Sequence, residues 1–427
     1  MLDFIAELKW RGMIHDIMPG TEEQLNRELT AGYIGFDPTA DSLHIGNLVQ
    51  IMLLVHLQRC GHKPFALVGG ATGMVGDPSG KSAERQLLGE EELRHNESCI
   101  RTQLNYFLDF EPGRTAAVMV NNYDWFRSMG FIEFLRDVGK HITISYMTAK
   151  ESVKNRMESG LSFTEFSYQL LQGYDFYWLY QQYGVKLQMG GSDQWGNIVT
   201  GTEIIRRKSA GEAFALTTPL VTRADGAKFG KTEQGNVWLD PRRTSSYQFY
   251  QFWLNCADDD AQKLIRIFST KGQQEIEHLE QEHLKNPHQR ILQNELAREI
   301  TIRVHSEDEY QNALKASRIL FGNSTQQELQ QIEEQMLLTV FEGVPQVAIS
   351  KSVLEHQLNV TDFLSEITSG HIFKSKGEAR RMISGGGVSI NKTRLNDASQ
   401  PMDFELINDK YFLVQKGKKN YFLVKAE

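Results

Sequence analysis

Cysteine is scarce in this chain of 427 residues, with only Cys60, Cys99 and Cys256. An odd number without close spacing excludes a disulfide framework or a cysteine zinc site, and points to reduced, buried thiols in a cytoplasmic protein. Long hydrophobic runs are missing too. The longest, from Leu48 to Leu57, is interrupted by Gln50 and His56, and it falls short of the about 20 residues that a membrane helix needs. No membrane association is expected. Asp3 and Glu7 interrupt the N-terminus where a secretory leader carries an apolar stretch. No period of about 20 to 50 residues recurs, which excludes solenoids and propellers.

What is present is ordinary for a globular protein: 40% apolar and 23% charged residues, enough apolar material for a sizeable core. At about 150 residues per domain the length implies several domains. Charge is uneven. From Lys351 to Glu427 there are 12 basic and 9 acidic residues, a net of +3, and the first 350 residues are net −11, which together make −8. An acidic body with a mildly basic C-terminal piece meets a polyanion locally rather than over its whole surface.

Short apolar runs ending in glycine or turn residues alternate with longer amphipathic stretches in the first half. Residues 33–36, 65–68, 116–120 and 185–189 read as buried strands, and 45–60, 91–108 and 163–183 as helices. That order predicts an α/β domain with a parallel sheet, whose ligands bind at the carboxyl ends of the strands. After about residue 245 the texture is helical, with Glu/Gln-rich stretches such as 273–284 and 289–304. Gly343-Val344-Pro345 marks a boundary, beyond which a helix at 378–384 and strand-like runs at 388–390, 411–414 and 421–424 predict a small domain.

The chemistry-bearing loops follow the strands. The first leads into YIGFDPTADSLHIGN, residues 33 to 47. Asp41 or Ser42 is placed to cap a helix starting near Leu43, with His44 and Gly46 in a first turn whose free N–H groups favour phosphate. The second ends in GGATGMVGDPSGK, residues 69 to 81. It is not a phosphate-binding P-loop, because Val75 stands where that spacing needs glycine. Asp77 offers a carboxylate at the strand mouth, suited to an ammonium group. Tyr168, Gln172 and Asp175 fall at i, i+4 and i+7, one helix face too polar for a core. The fourth strand leads to GGSDQWGN, residues 190 to 197, and further on KFGKT, residues 228 to 232, places two lysines on a glycine-hinged loop. Such lysines can swing onto a polyphosphate and stabilise the charge of leaving pyrophosphate. Each motif alone also fits an ordinary loop or a solvated helix face.

Together, GFDPTADSLHIG, GGATGMVGDPSG, NNYDW, FSYQLLQGYDF, GGSDQWGN and KFGKT resemble, in the same order, the class I aminoacyl-tRNA synthetases, and among them the bacterial tyrosyl-tRNA synthetases. HIGN resembles the HIGH signature and KFGKT the KMSKS loop. Asn47 departs from the signature's second histidine, and Ile34 stands where the family often has cysteine. The resemblance covers nearly the whole chain. It implies a Rossmann-like catalytic domain at 1–222, the KFGKT loop and a helical anticodon-side domain at 223–345, and a small α+β RNA-binding domain at 346–427.

The resemblance also implies roles. Tyr33 and Asp175 bind the substrate phenol, and Asp77, Tyr168 and Gln172 its ammonium group, with Asp37 and Gln194 positioning the amino acid. Thr39, His44, Gly46, Asn47, Gly191 and Asp193 contact ATP. Lys81, Arg85, Lys228, Lys231 and Thr232 stabilise pyrophosphate, Lys231 also touching ATP. ARRMISGGGVSINKTRLND, residues 379 to 397, resembles a small RNA-binding module, in which Lys376, Arg380, Arg381, Lys392 and Arg394 contact phosphates. The implied ligands are L-tyrosine, ATP with Mg²⁺ and tRNA(Tyr), without a resident protein metal site. A homodimer across residues 131–147 is implied as well. A site built to bond a hydroxyl is left with unpaired polar groups by phenylalanine; enzymes of this family are the standing illustration, at about 10⁵-fold, and that magnitude is borrowed from them. A tryptophanyl relative is disfavoured because its ligand has no phenol for Tyr33 and Asp175. A synthetase-like RNA-binding protein without activation is disfavoured by the intact lysine pair.

Overall fold

Alternation of short apolar runs with amphipathic helices produces a sheet with crossover connections. The computed structural model describes residues 2–427 apart from 78, 80–87, 151–152, 155–156, 158–159, 223, 225, 227–228, 233–234, 322–328, 342–343, 356–357 and 418–419. The chain forms two compact units, residues 1–244 with 249–306, and residues 245–248 with 307–427.

The first unit is built on six strands, β1 (Asp16–Ile17), β2 (Ala31–Phe36), β3 (Lys63–Val68), β4 (Val118–Asn121), β5 (Val185–Gly191) and β6 (Phe214–Thr218), in the order β1-β6-β5-β2-β3-β4. All neighbours are parallel except β1, which pairs antiparallel with β6 at the edge. The four strands expected from the sequence are contiguous as β5-β2-β3-β4, with β4 at one edge, and β1 and β6 are additions on the other side. All five residues of β6 are buried. Crossover helices Ile45–Arg59, Glu90–Leu104 and Phe163–Tyr183 match the expected segments to within a few residues. The sheet core includes Phe65, Leu67, Phe176, Leu179 and Val185.

One helix start differs from expectation. It lies at Ile45, not near Leu43, and its N-cap is His44 rather than Asp41 or Ser42. The Ser42 hydroxyl instead donates to the Leu43 carbonyl and accepts from the Gln103 amide, and Asp41 pairs with Arg243. His44 itself keeps extended backbone and is bridged to a second segment at Trp238.

The glutamate-rich segments are helices, Gln273–Lys285 and Ile291–Val304, as expected. Between them and the sheet lies a short hairpin, β7 (Lys231–Thr232) with β8 (Gly235–Asn236). The second unit carries a five-stranded sheet, β9 (Gln346–Ile349), β10 (Val388–Ile390), β11 (Thr393–Arg394), β12 (Tyr411–Lys416) and β13 (Asn420–Ala426), ordered β11-β10-β12-β13-β9. The Lys376–Ser384 helix contributes Ala379 and Ile383 to its core, with Phe363, Phe373, Phe412 and Val414. The α/β sheet, helical region and small C-terminal sheet thus follow the predicted class.

The three cysteines are free thiols, Cys60 buried and the other two half-buried. Burial pushes the Cys60 and Cys256 thiols up to about 12, so neither is a nucleophile at neutral pH. No helix among the described residues is long and apolar enough to cross a membrane.

Candidate active site

The crossovers leave β2 and β5 in opposite directions, so these adjacent strands form a topological switch point, where an open α/β sheet holds its ligand. A cavity of about 760 Å³ opens there, within the range of small-molecule sites. It brings together Tyr33, Asp37, Thr39, His44, Gly46, Asn47, Asp77, Tyr168, Gln172, Asp175, Gly191, Asp193 and Gln194. Thirteen residues singled out from separate motifs therefore share one cavity.

At the deep end Tyr33 is 1% and Asp175 2% exposed. The Asp175 carboxylate accepts from Trp125 Nε1 at 2.9 Å and from Asn122 Nδ2 at 3.1 Å. Asn122 Nδ2 also donates to Thr72 Oγ1 at 3.0 Å, and Thr72 donates to Asp37 Oδ1 at 2.8 Å. The other oxygen of Asp37 accepts from the Tyr168 hydroxyl at 2.8 Å. Burial pushes the Asp175 carboxyl up to about 8, the two N–H donors pulling against it and the Asp37 charge adding to it. Burial, then the Asp175 charge, raises the Tyr33 phenol well above its usual range, so it stays a neutral donor. The Tyr33 hydroxyl has no hydrogen-bond partner among the described residues. A buried hydroxyl without a partner costs free energy until a ligand supplies one.

On one side of this end Asp77 accepts from Gln194 Nε2 at 2.6 Å and from the Ser79 N–H at 2.9 Å. Gln172 Oε1 accepts from Asn197 Nδ2 at 3.0 Å. Tyr168 thus leans on Asp37, while Asp77 is held by Gln194. Asp37 and Asp77 put two carboxylates on the cavity wall, a donor set for a cation rather than an anion.

The mouth is built from backbone. The Gly46 N–H donates to His44 Nδ1 at 3.0 Å, and the His44 N–H donates to Asn47 Oδ1 at 3.1 Å, a reciprocal cap. Because Nδ1 accepts, the ring proton is assigned to Nε2. A Cβ on Gly46 would stand 2.8 Å from the His44 ring, so this cap needs glycine there. The trailing strand of the β7–β8 hairpin is zipped to the same turn, with Ile45 N–H bonded to Val237 O at 3.0 Å and Leu239 N–H to Leu43 O at 2.9 Å. Val237 N–H reaches back to Gly230 O at 3.0 Å. Gly230 has φ +84°, and a Cβ there would lie 3.2 Å from the Gly46 nitrogen. HIGN and KFGKT therefore meet at their glycines.

The readings of Lys81, Arg85 and Lys228 fall outside the described residues, and for Lys231 and Thr232 only the strand is described. In the second unit Arg380, Arg381 and Arg394 are exposed. Lys376 is committed to Asp362 at 2.7 Å and Glu366 at 2.9 Å, and Lys392 is half-buried with left-handed backbone. Thr72, Asn122, Trp125 and Asn197 carry the side-chain network but were not singled out as site residues. Asn122 and Trp125 lie within NNYDW and Asp175 within FSYQLLQGYDF, so both motifs are legible in the sequence while the bonds between them are not.

The sheet order, the switch-point cavity and the two glycine turns define a class I aminoacyl-tRNA synthetase site. The profile of the tRNA synthetases class I (W and Y) matches residues 25–322, and that of the tyrosine–tRNA ligase C-terminal domain matches residues 337–424. The tyrosine–tRNA ligases of Cytophaga hutchinsonii and Bacteroides thetaiotaomicron are 61% and 59% identical, each covering 100% of both chains. A C-terminally truncated mitochondrial tyrosyl-tRNA synthetase of Aspergillus nidulans superposes with a TM-score of 0.68 at 30% identity, covering 75% of this chain and 95% of that one. The chain belongs to the tyrosine–tRNA ligase family.

Proposed function

We propose that this chain activates L-tyrosine with ATP and then transfers the tyrosyl group to the 3′ end of tRNA(Tyr). In the first step a carboxylate oxygen of tyrosine attacks the α-phosphate and pyrophosphate leaves; in the second a terminal ribose hydroxyl attacks the acyl carbonyl and AMP leaves. No protein nucleophile is needed, and the side chains contribute positioning and charge stabilisation. ATP enters as its Mg²⁺ complex.

The observation that carries this reading is the buried, unpartnered Tyr33 hydroxyl beside Asp175 at the closed end of the cavity. A phenol entering there meets a donor in Tyr33 and an acceptor in Asp175. The ammonium group then faces Asp77, Tyr168 and Gln172, with Asp37 and Gln194 ordering the carboxylate side. ATP lies against Thr39, Gly46, Asn47, Gly191 and Asp193, and His44 Nε2 donates to phosphate. Lys81, Arg85, Lys228, Lys231 and Thr232 stabilise the departing pyrophosphate.

The exposed Arg380, Arg381 and Arg394, with Lys392, meet RNA phosphates and position tRNA without reading bases, and Lys376 joins them on exchanging Asp362 and Glu366 for phosphate. Phe131, Ile132 and Ile144 are 63%, 74% and 70% exposed, and a patch of this kind supports a homodimer contact over residues 131–147. A cytoplasmic location belongs to the same reading.

Amino-acid-dependent exchange of labelled pyrophosphate into ATP, without tRNA, tests the reading. Exchange with tyrosine and not with phenylalanine or tryptophan is expected. Exchange with none would move the chain to RNA binding without activation.

A further inference from the structure

His44 is held from its own side by Gly46 and Asn47, and from the other by a layer that begins outside the cavity. The Trp238 indole, which lines the cavity, meets the imidazole edge-on, with ring centroids 5.8 Å apart at 68°. The Arg243 guanidinium lies over that indole, Cζ 4.6 Å from its centroid. Arg243 Nε is 2.5 Å from Asp41 Oδ1, three residues before His44. The loop of residues 240–244 fixes this arrangement. Arg243 and Thr244 N–H groups both bond Asp240 O, the Thr244 hydroxyl accepts from Trp238 N–H at 3.0 Å, and Asp240 N–H bonds Ser42 Oγ at 3.1 Å. Arg242 occupies the Asp240 carboxylate through both of its oxygens, which leaves the adjacent arginine to Asp41.

A surface ion pair alone is worth little. Here the pair does something else: it anchors a flat cation on an indole whose edge touches the histidine of the HIGN turn. A guanidinium stacks on an aromatic face in a way an ammonium does not.

We propose that Arg243 is a positioning residue for the ATP half of the reaction: anchored on Asp41 and stacked on Trp238, it sets the indole edge that orients the His44 imidazole. The proposal rests on the reading of His44 as a phosphate donor. Arg243 touches neither tyrosine nor the reacting atoms, so its effect falls on ATP kinetics and passes through His44.

Tyrosine-dependent pyrophosphate exchange by the full chain, with kcat and KM measured separately for ATP and tyrosine, tests this in a cycle of Arg243→Gln and His44→Ala. Arg243→Gln is expected to lower kcat/KM for ATP by about five- to tenfold, the scale of a lost cation–π contact, with tyrosine KM within about twofold. In the His44→Ala background the same change is expected to cost less than about twofold. Arg243→Lys, which keeps the charge but not the planar face, regains less than half of the loss. An equal loss in both backgrounds, a parallel rise in tyrosine KM, or full recovery with lysine would overturn the proposal. Wild-type ATP kinetics in Arg243→Gln, with His44→Ala impaired, would overturn it while leaving the His44 reading intact. Wild-type ATP kinetics in His44→Ala would overturn that reading and the proposal with it.

Discussion

At its closed end the cavity is walled by side chains bonded to one another, Asp175 to Asn122 and Trp125, and Asp37 to Thr72 and Tyr168; at its mouth the groups are backbone N–H, two glycines and a histidine cap. The first arrangement is dry, which raises the carboxyl of Asp175 and the phenol of Tyr33 and makes an unmatched hydroxyl expensive. It suits discrimination between amino acids differing by one OH. The second offers donors that cost little to hold ready and that act on charge arriving with ATP. The division of labour follows from burial: specificity sits where water is excluded, and phosphate handling where the chain turns.

The sharpest way to break this contrast is to remove the acceptor at the closed end. Asp175→Ala leaves the Asn122 and Trp125 N–H groups buried without their carboxylate, a stability cost of about 1–3 kcal/mol. It also removes the phenol's acceptor, so kcat/KM for tyrosine in exchange should fall by about 10³-fold or more, as when a site built to bond a hydroxyl loses its partner. An unchanged tyrosine KM and kcat would sink the assignment of this end.

Disturbing the mouth should give the opposite pattern. Gly46→Ala places a methyl against the His44 ring, and the cap must open. Displacing a catalytic group by about 1 Å costs on the order of 10²-fold. The loss is expected in kcat/KM for ATP, with the tyrosine dissociation constant, read by equilibrium dialysis, unchanged. A weaker tyrosine affinity would show that the two ends are not separable.

A subtler handle is the proton on Asp175. Its folded value, about 8, lies above that of a free carboxyl, so between about pH 4 and that value the folded chain keeps a proton the unfolded chain has released. This contribution is complete below the unfolded pKa and is lost as pH rises through the folded one. Thermal unfolding of the substrate-free protein at pH 5 and pH 9, side by side with Asp175→Asn, should show the unsubstituted chain losing stability relative to the variant on going to about pH 9. A constant difference would mean that Asp175 is ionised throughout.

Much of this was legible in the sequence because strands buried on both faces read as short apolar runs, and their mouths carry glycine and polar residues. That placed 33–36, 65–68 and 185–189 correctly and put Tyr168, Gln172 and Asp175 on one helix face. Other features had no local signal. β1 is two residues long and exists only through its pairing with β6. The His44 cap replaced the expected Asp41 or Ser42 cap because each of those side chains has a distant partner, Arg243 and Gln103. Asn122 and Trp125 bond a carboxylate about fifty residues away, a relation no spacing rule contains. Lys376 looked like a free cation in the sequence, yet two carboxylates of its own domain hold it.

The contrast between the two ends is tested most directly by Tyr33→Phe, which removes only the unpartnered donor at the closed end. The measurement is the ratio of kcat/KM for tyrosine over phenylalanine in pyrophosphate exchange, taken with the ATP KM. The account predicts that the ratio falls by about tenfold, one neutral hydrogen bond's worth, while the ATP KM stays within about twofold. An unchanged ratio accompanied by a raised ATP KM would contradict it.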